Sequence, residues 1–221
     1  MKLRSRFERE LELLNTELIE MGNAVEASIE SAIEALLNLD TELAKNVIEQ
    51  DIEIDQLEKD IESRCLRLLL QQQPVASDLR IISSTLKMIT DMERIGDYSV
   101  DIADITLFLS ETQYESKHGL LQGMGESAVK MVRESIDAFV KKDIETVKSV
   151  IEYDDVVDDY FNQSRTIAID MIRRGGTEGE IALDLMMVAR YLERIGDHAE
   201  NIAEWVYYSI EGEHFVKEYK D

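Results

Sequence analysis

Apolar residues recur along this chain at intervals of three and four, and the interruptions between the periodic stretches are few. Turn-forming clusters occur at Asn38 to Thr41, Gln73 to Pro74, Thr112 to Gly119, Lys141 to Asp143 and Gly175 to Gly179. They divide the chain into six helices, predicted over 3–38, 41–72, 76–111, 120–141, 144–173 and 178–211. Pro74 suits the first turn of the third helix, with Ser77 or Asp78 near its start, because a missing N–H costs nothing there. Gly175 and Gly176 suit the end of the fifth, where positive-φ backbone closes a helix.

Within the third predicted helix, Ile81, Met88, Met92, Ile95, Ile102 and Leu109 form an apolar seam that reads as core. A second seam runs through Ile82, Ile89, Glu93, Gly96, Val100 and Ala103, so a glutamate and a glycine stand where the pattern otherwise places apolar or small groups. Asp97 lies one turn beyond Glu93, and Asp101 extends the row. In the sixth helix Glu193 and Asp197 interrupt the corresponding seam, but the next step is Asn201, with Glu200 beside it.

This correspondence is part of an internal repeat. Met21-Gly22 returns as Met124-Gly125, Val47-Ile48-Glu49-Gln50-Asp51 as Val150-Ile151-Glu152-Tyr153-Asp154, and Glu93-Arg94-Ile95-Gly96-Asp97 unchanged at 193–197. The offset is 103 residues for the first two matches and 100 for the third, which places a three-residue deletion between the second and third helices of the second copy. Two copies of a three-helix unit explain all three matches, giving an all-α chain of two tandem three-helix bundles, one over 1–112 and one over 119–221.

Composition agrees with long helices: one Pro and 10 Gly among 221 residues, with 44% hydrophobic and 32% charged. Forty-seven acidic against 24 basic residues give a net charge of -23, which disfavours nucleic acid and anionic lipid as partners. A single cysteine, Cys65, in an apolar helical stretch reads as a buried structural thiol. No run approaches the ~18 apolar residues of a membrane span, so a cytoplasmic protein with no membrane insertion is expected.

A Glu-x-x-x-Asp pair is ordinarily a solvated helix face. Here the pair falls within an apolar seam, twice, and like charges one turn apart repel by roughly 0.2–0.5 kcal/mol, so helix stability gives no reason for them. A cation would supply one. Asp51 and Asp55 on the second helix, and Asp154 and Asp158 on the fifth, offer facing carboxylates if neighbouring helices pack antiparallel, although Glu49, Asp51, Glu53 and Asp55 alternate around the helix and several of them must face water. Oxygen ligands suit Fe, Mn, Mg or Ca, with Zn less preferred. Histidine is sparse, and the chain is read as having nowhere the Glu-x-x-His pair that a ferritin-like di-iron oxidase needs on two helices. His198 reads as an outward surface residue, about 100° around the helix from Asp197. Arg94 and Arg194 point to another face, to pair with acids or meet a partner. No phosphate-binding loop, nucleophile elbow or Cys/His nucleophile is present.

The strings Gln73-Pro74-Val75-Ala76-Ser77-Asp78-Leu79-Arg80, Met92 to Asp97 and Leu192 to Glu204 together resemble the signature of the PhoU family, across essentially the whole chain. The resemblance implies two three-helix bundles related by approximate twofold symmetry, further assembled as a homodimer. It implies a multinuclear metal cluster, of iron or zinc, on the acidic motifs of each bundle: Glu93, Asp97, Asp101, Glu193 and Asp197, with Asp51, Asp55, Asp154 and Asp158 as a weaker set. It also implies a regulator, not an enzyme, that holds the phosphate-starvation response off by contacting a phosphate ABC transporter and a sensor histidine kinase at the cytoplasmic membrane face. Two other readings stand beside it: a carboxylate-bridged metal hydrolase or oxidase, and a metal-free helical scaffold.

Overall fold

The computed structural model describes residues 2–71, 75–112, 114 and 119–217. They form six helices and no strand: α1 (Lys2–Asn38), α2 (Thr41–Gln71), α3 (Ala76–Ser110), α4 (Gly119–Lys141), α5 (Ile144–Arg174) and α6 (Thr177–Glu211). The periodicity locates every one of them to within a residue or so at each end. Pro74 and most of the Thr112 to Gly119 joint lie outside the described residues. α3 begins after Val75, which is extended and provides no side-chain cap.

The duplication extends into the turns. Leu39 and Lys142, 103 residues apart, both adopt left-handed backbone, with φ of 50° and 54°. The residue after each is an aspartate that caps the next helix. Asp40 accepts from the backbone N–H groups of Glu42 and Leu43 at 3.1 and 3.0 Å, and Asp143 from those of Glu145 and Thr146 at 3.1 and 3.3 Å. At the other hairpin, Gly175 and Gly176 take φ of 74° and 71°, as a tight change of direction requires.

α1, α2 and α3 pack on one another, as do α4, α5 and α6, and the two units join where α3 meets α6 and α1 meets α4. α2 and α5 are therefore outer helices, while α3 and α6 are each packed on more than one side. One apolar core runs through all six helices, including Leu14, Met21, Ile61, Met92, Val150, Val188 and Leu192. Cys65 is fully buried in it, and burial pushes its thiol up to about 12. Arg64 secures α2 to α1, donating to Glu17 at 2.6 Å and to Glu10 at 2.8 Å.

Both joins exchange equivalent residues, as a twofold relation demands. Gly22 of α1 packs against Ile136 of α4, and Gly125 against Ile33, where Ile33 and Ile136 are themselves matched by the repeat. Tyr98 of α3 stacks on Tyr191 of α6, ring centroids 5.7 Å apart, while His198 meets Asp91 in the mirrored pair. These pairings run in opposite directions along α3 and α6, so the two helices are antiparallel.

The close α1–α4 approach depends on missing side chains. A Cβ built at Gly22 overlaps the Ile136 side chain. Gly22→Val is expected to cost about 1–3 kcal/mol in urea denaturation, with part of that recovered when Ile136→Ala is added, and purely additive effects would contradict the close packing.

Candidate functional site

The glycine inside each repeated motif determines what sits beside it. Because Gly96 has no side chain, Asp51 of α2 approaches the α3 backbone so closely that a Cβ on Gly96 would lie 2.9 Å from Asp51 Oδ1 and 3.2 Å from Ile54. Gly196 does the same for Asp154 of α5, whose Oδ1 would be 3.2 Å from the added Cβ. The antiparallel packing of α2 on α3 and of α5 on α6 thus brings a carboxylate of the outer helix beside the Glu-x-x-x-Asp pair of the inner one.

Burial of these carboxylates is partial and graded. The Glu93 side chain is 25% exposed, the Glu193 side chain 13%, and Asp154 only 8%. Asp97, Asp55 and Asp158 lie further toward water, and of the four alternating acids of α2, Glu49 and Glu53 are the exposed ones. In the first unit burial raises the pKa of Asp51, Glu93 and Asp101, and the Asp97 charge adds to each shift. In the second, burial pushes Asp154 up to about 7, reinforced by Glu200, Asp158 and Asp197 and opposed by Lys217. Asp158, Glu193 and Glu200 are likewise raised by burial first, with Asp197 contributing to all three. Every residue singled out from the motifs therefore falls in one of two groups of mutually repelling acids, one per unit.

Arginines partly offset that repulsion. Arg94 lies on the acids of its own motif, 3.2 Å from Asp97 and 3.8 Å from Glu93, and Arg194 is 3.3 Å from Asp197. Both arginines stand in ion pairs, with 58% and 45% of their side chains still exposed. Arg190 donates to one oxygen of Glu193, while Oε2 of the same carboxylate is buried without a hydrogen-bond partner among the described residues.

Among the described residues no three His, Cys, Asp or Glu side chains converge closely enough to share one ion. The donor set nevertheless fits an oxygen-liganded cation in kind. It is made of half-buried carboxylates that repel one another, cradled against glycines, with one orphaned oxygen at Glu193.

His198 differs from the expectation of an outward residue. Its side chain is 20% exposed, its Nδ1 lies 2.7 Å from Asp91 Oδ1, and its ring is tilted against Tyr98. The face it occupies is the α3–α6 join, which a single-helix projection cannot distinguish from solvent. Glu-x-x-His spacing does occur, at Glu115–His118 and Glu211–His214. The first lies outside the described residues, and in the second Gly212 ends α6 between the two residues.

Three further participants stand outside the candidate ligands named from sequence, although Glu200 was already noted beside Asn201. Glu58, one turn beyond Asp55, acts on Glu93, and Glu200 acts on Asp154. Lys217 approaches the second group from beyond α6, 3.5 Å from Glu200 and 3.7 Å from Asp155. Helical spacing from Asp51 and Asp55 was a usable signal for Glu58, whereas nothing local points to Lys217.

Comparison with known proteins gives the same twofold division. The model of the PhoU domain matches residues 18–106 and again 121–206. The chain is 38% identical to the phosphate-specific transport system accessory protein PhoU homolog 1 of Thermotoga maritima, over 96% of this chain and 92% of that protein. It is 34% identical to the phosphate-specific transport system accessory protein PhoU of Escherichia coli, over 95% and 87% of the two chains. The crystal structure of PhoU from Pseudomonas aeruginosa superposes with a TM-score of 0.89 at 36% identity, covering 94% of this chain and all of that one. With the duplicated motif, the six-helix fold and the domain match all coinciding over both halves, the chain belongs to the PhoU family.

Proposed function

We propose that this protein is an accessory regulator of phosphate transport that acts from the cytoplasmic side of the membrane as an adaptor between a phosphate ABC transporter and a sensor histidine kinase. The observation that carries the reading is the similarity, over nearly the whole chain, to relatives named as phosphate-specific transport system accessory proteins. No helix among the described residues is long and apolar enough to cross a membrane, which accords with action at a membrane face. The role is regulatory, and assembly as a homodimer belongs to the same proposal.

Each unit holds cations in this reading. Asp51, Asp55, Glu93, Asp97 and Asp101 would serve the first, and Asp154, Asp158, Glu193 and Asp197 the second. A bound cation supplies positive charge that offsets the mutual repulsion of these acids and orders the outer helix against the inner one. Iron and zinc are the proposed metals. Glu58 and Glu200 enlarge the acid sets, and Asn201 in place of an acid makes the second set differ from the first.

Deletion of the gene is expected to raise expression of phosphate-starvation genes at high phosphate, measured by transcript quantification; unchanged expression would contradict the regulatory reading. For the cation sites, protein purified without a polyhistidine tag is expected to lose bound metal, measured by elemental analysis, when Glu93→Gln and Glu193→Gln are introduced. Metal content equal to wild type would remove those residues from the sites.

A further inference from the structure

The two acidic groups, alike in their motifs, differ in the cation that each already has beside it. In the first unit the lysine is Lys59, one turn from Asp55 on the same helix, at 3.1 Å. The repeat places Asn162 at that position in α5, so the second unit lacks this lysine. Its ammonium comes instead from Lys217, on the segment that follows α6.

That segment is held by specific contacts. Gly212 ends α6 in left-handed backbone at φ 83°, its N–H bonded to the Tyr208 carbonyl at 2.9 Å, and the chain turns back along the helix. The His214 ring stacks on Tyr208 at 4.8 Å and meets Trp205 edge-on at 5.6 Å. Phe215 packs edge-on against Tyr207 at 5.3 Å. These rings deliver the Lys217 ammonium to Glu200 at 3.5 Å and Asp155 at 3.7 Å.

The acids that receive it are specific to the second unit. Asp155 corresponds to Ile52 of the first repeat and Glu200 to Val100. So the second repeat has both acids that hold Lys217, where the first has neither, and carries no lysine at the Lys59 position. Behind them stands Asp154, 8% exposed, on which the Glu200 and Lys217 charges both act, and in the same acidic group Glu193 Oε2 is buried without a hydrogen-bond partner among the described residues.

We propose that the segment Glu213–Lys217 is a built-in competitor for cation binding in the second unit. The Lys217 ammonium offsets part of the negative charge of the Asp154, Asp155 and Glu200 group until a metal ion exchanges with it, and the segment leaves the aromatic surface of α6 when that happens. The first unit has no such exchange with this segment. The inference rests on the cation reading above and adds regulation to one of its two sites, so that metal loading of the second unit frees a peptide segment that a partner can then engage.

The molecule carries its own reporter, since Trp205 is the single tryptophan and lies against His214. Tag-free, EDTA-treated wild type and Lys217→Gln are titrated with zinc, following Trp205 emission and binding heat together. The exchange predicts a shift of Trp205 emission on zinc binding in wild type, metal-free Lys217→Gln emission already displaced toward the zinc-loaded value, and zinc bound by the variant about twofold to fivefold more tightly at the Trp205-reporting site. Zinc binding with equal affinity in both proteins and unchanged emission overturns the exchange while leaving the cation reading intact. Absence of zinc binding in both proteins overturns the cation reading, and the exchange with it.

Discussion

Carboxylates held half out of water and close to one another constrain this structure more than any other feature. A helix has no intrinsic use for Glu93 beside Asp97, or for Asp51 pressed against the backbone at Gly96, because each charge raises the cost of its neighbours and burial raises it further. The arrangement survives because the surrounding core is extensive. α3 and α6 are packed by helices on several sides, and the apolar residues of the same helices, such as Met92, Ile95, Ile102, Leu192 and Ile195, are fully buried. Apolar packing thus stabilises a site whose own electrostatics oppose folding. Such a site has a strong preference for a counter-charge, and the arginines at 94, 190 and 194 supply only part of it.

Duplication gives the molecule its shape and then lets the halves diverge. The contacts that join the units are exchanged pairs: Gly22 with Ile136 and Gly125 with Ile33, Tyr98 with Tyr191 and His198 with Asp91. Positions at the join must satisfy their equivalents across the twofold axis, and even there Tyr98–Tyr191 and His198–Asp91 have become chemically different. Around the acidic groups divergence goes further. Glu58 of the first unit is Phe161 in the second, where Arg190 lies over the ring at 5.8 Å and also pairs with Glu193. Two sites of common origin have thereby acquired different counter-charges.

Most of the fold was readable from periodicity because helices of 23–37 residues with few breaks leave little ambiguity of type. The three-residue offset change located the shortened α5–α6 hairpin. Leu39 and Lys142 escaped notice because a non-glycine residue in left-handed backbone has no compositional signature, and only the capping aspartates betray the turn. The motif acids were legible because they broke a seam and did so twice. His198 was misplaced because a helical projection shows which side a residue occupies, without showing which helix lies there. Lys217 was invisible for a related reason: it reaches Glu200 and Asp155 only because Gly212 reverses the chain, a tertiary event that spacing along one helix does not encode.

The most direct test of the central claim compares thermal unfolding of EDTA-treated protein with and without added zinc at two pH values. Burial and neighbouring acids raise the folded pKa of Asp154 from 3.8 to about 7, so its contribution to stability is present below the ordinary value and is lost as pH rises through the folded one. A cation offsets that loss only where the acids are ionised. Zinc at about 100 times its dissociation constant is predicted to raise the midpoint by roughly 5–10 °C at about pH 7.5 and to leave it nearly unchanged at about pH 4.5. An unchanged midpoint at the higher pH, or the same rise at both, would contradict the account.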